Sequence, residues 1–441
     1  MTWLSPKKYT EMRIIITSLA LLLVGLLSAQ QVEKPTKGDV LLDNATLVTV
    51  TNGTITGDLL IRDGKIADIG NSITPDAKTT VIDCQGKFVY PGFIDGNTHL
   101  GLGEIGAVSV TQDYNELGSF IPHMQALTAV NPSSVNIPVT RVEGVTSALT
   151  VPSGGRFPGT AALINLHGYT PEQMNAGFKA VVMNFPSSGK RGRWDRRSEE
   201  DIKKDAEKAT KEIDDVWKKA KLYHTIDSTS RAQGKKRNDY NPQMDALMPV
   251  FRGEASMIIS VNKKNDILTA IKWVEKNKVN AIFMSVSEGW RAADEIAKAG
   301  IPCIVGPIMR YPSRDSDRYD APYTNAGVLS KAGVKVCIGT NETENVRNLP
   351  YNAGFAATYG MGTEEALKAV TINPAEIFGL GKELGSLEKG KIANLFVSDG
   401  DPFETKTNIL QLFINGWSIP LESRHTLLYN EFLKRDPGLS K

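Results

Sequence analysis

Phe88-Val89-Tyr90-Pro91-Gly92-Phe93-Ile94 runs apolar into Asp95-Gly96-Asn97-Thr98-His99, and the organisation of the chain changes here. Before this stretch lie short β-rich runs at residues 40–42, 46–50, 58–61, 65–69, 80–82 and 87–89. Asn52-Gly53, Asp63-Gly64 and Gln85-Gly86 separate several of them, each pair a hairpin turn signal. They predict a small antiparallel β unit. After the stretch, apolar runs recur at residues 93–94, 145–151, 161–166, 180–185, 257–261, 281–286, 303–305 and 335–338, with helical segments or long connections between them. Eight runs so spaced predict an α/β fold, a parallel (β/α)8 TIM-like barrel.

Local signals support the barrel units. Asn265 reads as the cap of a helix over residues 266–277, and Ser287 as the opening of one over 288–299 that stops at Gly300. Between the fourth and fifth runs, residues 191–236 form a highly charged insert. Its alternating acids and bases around Ile202, Ala206, Ile213 and Val216 predict a solvated amphipathic helix outside the barrel. Beyond Leu384 the chain returns to β character at residues 394–398 and 410–414, around Gly400-Asp401-Pro402, which most simply completes the N-terminal β unit.

Lys7, Lys8 and Arg13 precede an apolar stretch at residues 14–27, and Ser28-Ala29 supplies small residues before Gln30-Gln31. This predicts a secretory signal cleaved after Ala29, with Met12 an alternative start, and hence an exported protein, periplasmic or extracellular. An apolar core of about fourteen residues falls short of the roughly twenty that a spanning helix needs. No membrane association is expected after cleavage.

With 441 residues, a net charge of +2, 41% apolar and 23% charged residues, the chain suits one large barrel plus a small satellite domain. Near-neutral charge argues against a nucleic-acid partner. Cys84, Cys303 and Cys337 are odd in number and embedded in apolar runs, so they read as buried small hydrophobes, not as a disulfide framework.

Ile61-Arg62-Asp63-Gly64-Lys65-Ile66 followed by Pro91-Gly92-Phe93-Ile94-Asp95 resembles the opening of the amidohydrolase superfamily. The closing run, Thr371-Ile372-Asn373-Pro374-Ala375 and Gly385-Ser386-Leu387-Glu388-Lys389-Gly390-Lys391-Ile392-Ala393-Asn394-Leu395, resembles its imidazolonepropionase-like branch. The resemblance implies a metal-dependent hydrolase barrel inserted in a composite β-sandwich. The implied divisions are a signal at 1–29, sandwich at 30–90, barrel at 91–384, and sandwich with tail at 385–441. It also implies one divalent metal, zinc or iron, held by His-x-His after strand 1, His after strands 5 and 6, and Asp after strand 8. That metal activates water for hydrolysis of non-peptide C–N bonds.

At those places this chain carries Asn97 and His99, then Ser260, then no histidine in residues 281–286, then Asn341 followed by Glu342. The candidate metal positions are therefore His99 and Asn97, and the candidate catalytic ones Asn341, Glu342 and Ser260. Only five histidines exist in the whole chain, so little rescue is available from elsewhere. Glu104, Asp113, Glu116, Glu342 and Glu344 suit either an oxygen-rich site for a hard ion or ion pairs with bases at the mouth.

Val151-Pro152-Ser153-Gly154-Gly155-Arg156, Asn184-Phe185-Pro186-Ser187-Ser188-Gly189-Lys190-Arg191 and Arg310-Tyr311-Pro312 all follow strand runs, on the face where barrel sites form. Glycine and serine beside basic groups suit an anion, and equally suit ordinary turns. The candidate binding residues are Glu104, Arg156, Lys190, Arg191, Arg310 and Arg347. Two functions stay open: an exported hydrolase of cyclic amides or related small molecules with an altered metal site, or a catalytically silent homologue, free of metal, that binds or assembles with an active paralogue. Either is compatible with a homo-oligomer.

Overall fold

Asp63 and Gly64 both take the left-handed backbone, with φ of 50° and 80°. These are the angles a two-residue type I′ turn needs, and the turn joins strands Thr54–Arg62 and Lys65–Gly70 into a hairpin. The hairpin forms one end of a nine-stranded sheet. In that sheet Phe88–Pro91 lies between Val40–Val48 and Leu395–Ser398, so segments far apart in sequence share one ladder. Leu42, Leu47, Leu59 and Ile61 pack from the early strands against Leu395, Val397 and Phe413 from the late ones, all of them buried. The computed structural model describes residues 34–190, 195–236 and 239–435. The predicted signal and the candidate Arg191 lie outside the described residues.

From Thr36 onward the chain clusters as one unit, and its second sheet is the barrel. Its strands are β1 (Phe93–Thr98), β2 (Val145–Thr150), β3 (Gly159–Asn165), β4 (Asn175–Asn184), β5 (Met257–Val261), β6 (Ala281–Ser285), β7 (Cys303–Val305) and β8 (Val336–Ile338). They pair in sequence order. The seam between β8 and β1 is sealed by a bridge from Thr98 to Glu342 and by Asn341 N donating to Asn97 O at 2.7 Å. Alternation along each strand separates two apolar sets. Ile94, Leu149, Leu163, Val182, Ile258, Ile282, Ile304 and Cys337, one from each strand, fill the interior. Their neighbours, such as Phe93, Met257 and Phe283, pack in the larger surrounding core. Gly96 is required by this filling, because a Cβ there would lie 2.3 Å from Cys337 Sγ and 2.9 Å from Ile304 Cγ2.

The barrel departs from the all-parallel expectation at β3, which runs antiparallel to both β2 and β4. The physical reason is the connection. Residues 151–158 carry no helix, and a parallel return needs a crossover of a dozen residues or more. Two helix starts also differ. Helix Lys264–Asn277 begins before Asn265, which gives no cap. The stretch after Ser287 breaks into a short 3-10 turn, Gly289–Arg291, and helix Ala293–Ala299, which does end on left-handed Gly300.

The charged insert holds helix Glu199–Ala232, capped by Ser198, whose side chain accepts from Asp201 N. One face of it is more than solvated: Ile202, Ala209, Ile213, Trp217 and Ala220 are buried. Trp217 packs at a tilt of 32° against Phe251, with centroids 4.5 Å apart, and meets Trp273 edge-on at 5.1 Å. Among the described residues no helix is long and apolar enough to cross a membrane. All three cysteines are free and buried.

Candidate functional site

The β1 and β8 ends meet over a buried carboxylate. Asp95 Oδ1 accepts from Asn97 N at 3.0 Å and Thr340 N at 3.1 Å, and Oδ2 accepts from Thr340 Oγ1 at 2.7 Å. Burial pushes its pKa up to about 7; these hydrogen bonds oppose the rise, and the charge of Glu342 adds to it. Above Asp95, Asn97 Nδ2 donates to Asn341 Oδ1 at 3.2 Å. Asn97 Oδ1 is buried and has no partner among the described residues. Asn341 sits in the left-handed region at φ 55°, a conformation asparagine tolerates better than most side chains.

His99 is held by its first ring nitrogen. Nδ1 lies 2.7 Å from Val151 O, and a carbonyl can only accept, so Nδ1 carries the proton and Nε2 keeps a lone pair. The ring stacks on Tyr114 with centroids 4.4 Å apart, and burial holds its pKa below the ordinary histidine value. Such an imidazole is neutral near pH 7. It is well prepared as a ligand but poorly supplied with companions.

The companions fail on chemistry. β5 offers Ser260, β6 offers Ser285, and β1 and β8 offer the amides Asn97 and Asn341. Amide and hydroxyl oxygens are weak donors for zinc or ferrous iron, which take imidazole, thiolate and carboxylate. Among the described residues no three His, Cys, Asp or Glu side chains gather where they could hold an ion. Glu104 is turned to Asn131 Nδ2 (2.9 Å) and Ser134 Oγ (3.2 Å). The residues present do not fit the divalent metal that the resemblance implies.

The strand ends of β4 to β7 build something different, a cavity of about 320 Å3. Lys190, Ser260 and Arg310 line it, together with Asn262, Lys263 and Ser287, which the sequence reading passed over. The signal was present in principle, since Asn262-Lys263 directly follow Val261 at the end of β5. At the end of β6, Ser285 and Val286 take positive φ of 75° and 47°, strained for a β-branched residue. The strain is held by Val286 N donating to Val261 O and Asn325 Nδ2 donating to Val286 O. It turns Ser287 onto Asn262, with Ser287 Oγ donating to Asn262 Oδ1 at 2.5 Å. Behind the cavity, Glu288 is fully buried and gripped by Arg314 Nε (2.7 Å) and Nη2 (2.6 Å), by Lys264 N (3.0 Å) and by Lys263. Burial alone would raise its pKa; these cations and the amide outweigh it and hold the carboxyl at about 2.

Three of the candidate binding residues among the described ones are not brought to this cavity. Arg156 adjoins it only through its backbone, its carbonyl accepting from Asn184 N. Arg347 lies 3.4 Å from His425 Nδ1 of helix Arg424–Lys434, and Glu104 belongs to the β1 loop. A larger cavity of about 980 Å3 lies at the opposite face, bounded by Ser256, Asn280 and Lys335 just ahead of β5, β6 and β8. Barrel chemistry takes place at the other end.

Comparison with known proteins agrees with this architecture. The amidohydrolase family profile matches residues 322–418. Amidohydrolase tasK of Hapsidospora irregularis is 22% identical over 394 residues, 82% of this chain but only 39% of tasK. Imidazolonepropionase of Thermoanaerobacter pseudethanolicus is 24% identical over 372 residues, covering 77% of this chain and 83% of that enzyme. The crystal structure of an amidohydrolase from Thermotoga maritima MSB8 superposes with a TM-score of 0.75 at 27% identity, over 86% of this chain and 99% of that one. Residues 322–418 thus match the amidohydrolase family, and over most of its length the chain is similar to amidohydrolases and imidazolonepropionases, whose relatives share this barrel.

Proposed function

We propose that this chain is an exported amidohydrolase homologue that binds a small molecule at the barrel mouth without hydrolysing it. The proposal includes a mature protein beginning at Gln30 and the division into sandwich, barrel and sandwich at residues 90 and 384. One observation carries the reading: the amides of Asn97 and Asn341 hydrogen-bond to each other at 3.2 Å where the family places an imidazole ligand and a carboxylate base. An amide neither anchors zinc well nor takes a proton from water near neutral pH. Glu342 does not replace the base, since its backbone is committed to the seam and its side chain is solvent-exposed. Ser260 has no histidine near it in sequence to raise its nucleophilicity.

The second reading, a hydrolase of cyclic amides with one metal in an altered site, is favoured by a specific pair of features. Among the described residues, His99 Nε2 takes no partner, and neither does the buried Asn97 Oδ1. Elemental analysis of protein purified without chelators separates the two. Metal well below one equivalent is expected, and about one equivalent of tightly held zinc or iron overturns the binding reading. Restoring Asn97→His, Ser260→His and Asn341→Asp together is expected to raise zinc affinity at least about a hundredfold.

A further inference from the structure

Arg310 is half-buried at the ends of β6 and β7, and among the described residues no carboxylate pairs with it. Its Nη1 donates to Ser287 Oγ at 3.0 Å and its Nε to Tyr311 O at 3.4 Å; no protein acceptor among the described residues takes Nη2. Burial holds its pKa below the ordinary arginine value, yet arginine stays charged in proteins. A half-buried guanidinium with no counter-charge beside it and Nη2 still open is placed to take an anion that reaches it from solvent.

The nearby carboxylates are already engaged. Asp266 Oδ2 accepts from Ser187 Oγ at 2.9 Å, and Oδ1 accepts from Ser188 N at 2.9 Å and Ser188 Oγ at 2.5 Å. Glu288 is taken by Arg314 and Lys263. Lys190 enters the same cavity with no acid paired to it among the described residues. Ser260, at the strand-5 position where the family carries a metal-binding histidine, contributes to this lining. Three cations, Arg310, Lys263 and Lys190, thus line the cavity against the single carboxylate of Asp266, which leaves that side of the mouth complementary to negative charge.

We propose that the cavity at the ends of β4 to β7 binds the oxyanion of a small-molecule ligand, a carboxylate or a phosphate, through Arg310 held in place by Ser287, with Lys190 and Lys263 beside it. Arginine suits this task because its planar donors match two oxygens of either anion. The inference deepens the binding reading and rests on it only in taking the ligand to be a small molecule.

Titration calorimetry of the full chain with inorganic phosphate, and separately with acetate, at constant ionic strength tests it. Saturable binding at one site is expected, weaker at high salt, and reduced about tenfold or more in Arg310→Gln. Arg310→Lys should recover part of the loss, and the tighter-binding probe identifies the group. The proposal is overturned by a wild-type protein that binds neither probe, or by a folded Arg310→Gln protein that binds as well as wild type. Anion binding by a protein that also retains a full equivalent of zinc keeps this inference and removes the binding-only reading. A metal-free protein that ignores both anions does the reverse.

Discussion

The two halves of the barrel mouth each hold a desolvated carboxylate, and the two have moved in opposite directions. On the β1–β8 side Asp95 is contacted by neutral donors from Asn97 and Thr340, and burial wins, raising its pKa to about 7. On the β6–β7 side Glu288 is contacted by Arg314 and Lys263, and the cations win, holding its pKa at about 2. The comparison teaches that depth alone does not set a carboxylate's charge state; the charge of its partners does. It also describes the site. One half presents an amide surface, while the other has gathered positive charge.

The largest expected effect is on the neutral half. Asp95→Ala leaves Asn97 N, Thr340 N and Thr340 Oγ1 without their acceptor inside the seam, and should cost about 3–4 kcal/mol in urea unfolding. The pH dependence has a defined sign. Between about 4 and 7 the folded protein holds a proton on Asp95 that the unfolded chain has released, so this group's contribution to stability is full below about 4 and is lost as pH rises through 7. Asp95→Asn should remove a fall of about 1.4 kcal/mol per pH unit across that window. Equal slopes in wild type and variant would mean that Asp95 is ionised when folded, and the contrast with Glu288 would collapse.

Glu288 should behave in the opposite sense and more weakly. Its folded pKa lies below the unfolded value, so its contribution is present above about 4.5 and disappears as pH falls toward 2. Glu288→Gln should destabilise by about 2 kcal/mol at pH 7, allowing for solvent screening of Arg314, and the difference should shrink on acidification. Loss of Glu288 also frees Lys263 and Arg314, so anion binding in the neighbouring cavity should tighten. A variant with weakened phosphate binding would show that Glu288 supports the cavity instead of competing for its cations.

Much of this fold could be read from the chain because apolar alternation and turn chemistry are local. Asp63-Gly64 has no other comfortable structure than the turn it makes, and each barrel strand announces itself by an apolar run. The direction of β3 was hidden, since an apolar run buried on both faces reads the same either way, and only the short link at 151–158 betrays it. The site divides similarly. That Asn97 and Asn341 lie near each other could be anticipated from their places after the first and eighth strand runs, and their amides do meet at 3.2 Å. The places of Lys263 and Glu288 could not, because a charged residue after a strand looks alike whether solvated or built into a cavity wall. Arg347 is among the candidate binding residues of the sequence, and nothing there foretells its contact with His425, 78 residues away.

The smallest expected effect concerns the amide pair itself. A double-mutant cycle with Asn97→Ala and Asn341→Ala should return a coupling of about 1 kcal/mol, the usual worth of a hydrogen bond between neutral groups. Alanine at position 341 carries a separate cost, about 1–2 kcal/mol, for holding φ at 55°, but that cost appears with and without Asn97 and so cancels in the cycle. Because neither amide titrates, the coupling should be the same at pH 5 and pH 9, unlike the effects at Asp95 and Glu288. It should also be the same with zinc or with a chelator in the buffer. A coupling that vanishes when zinc is added would mean that Asn97 and Asn341 exchange each other for a metal ion, and the half of the mouth described as an amide surface would be a metal site at rest.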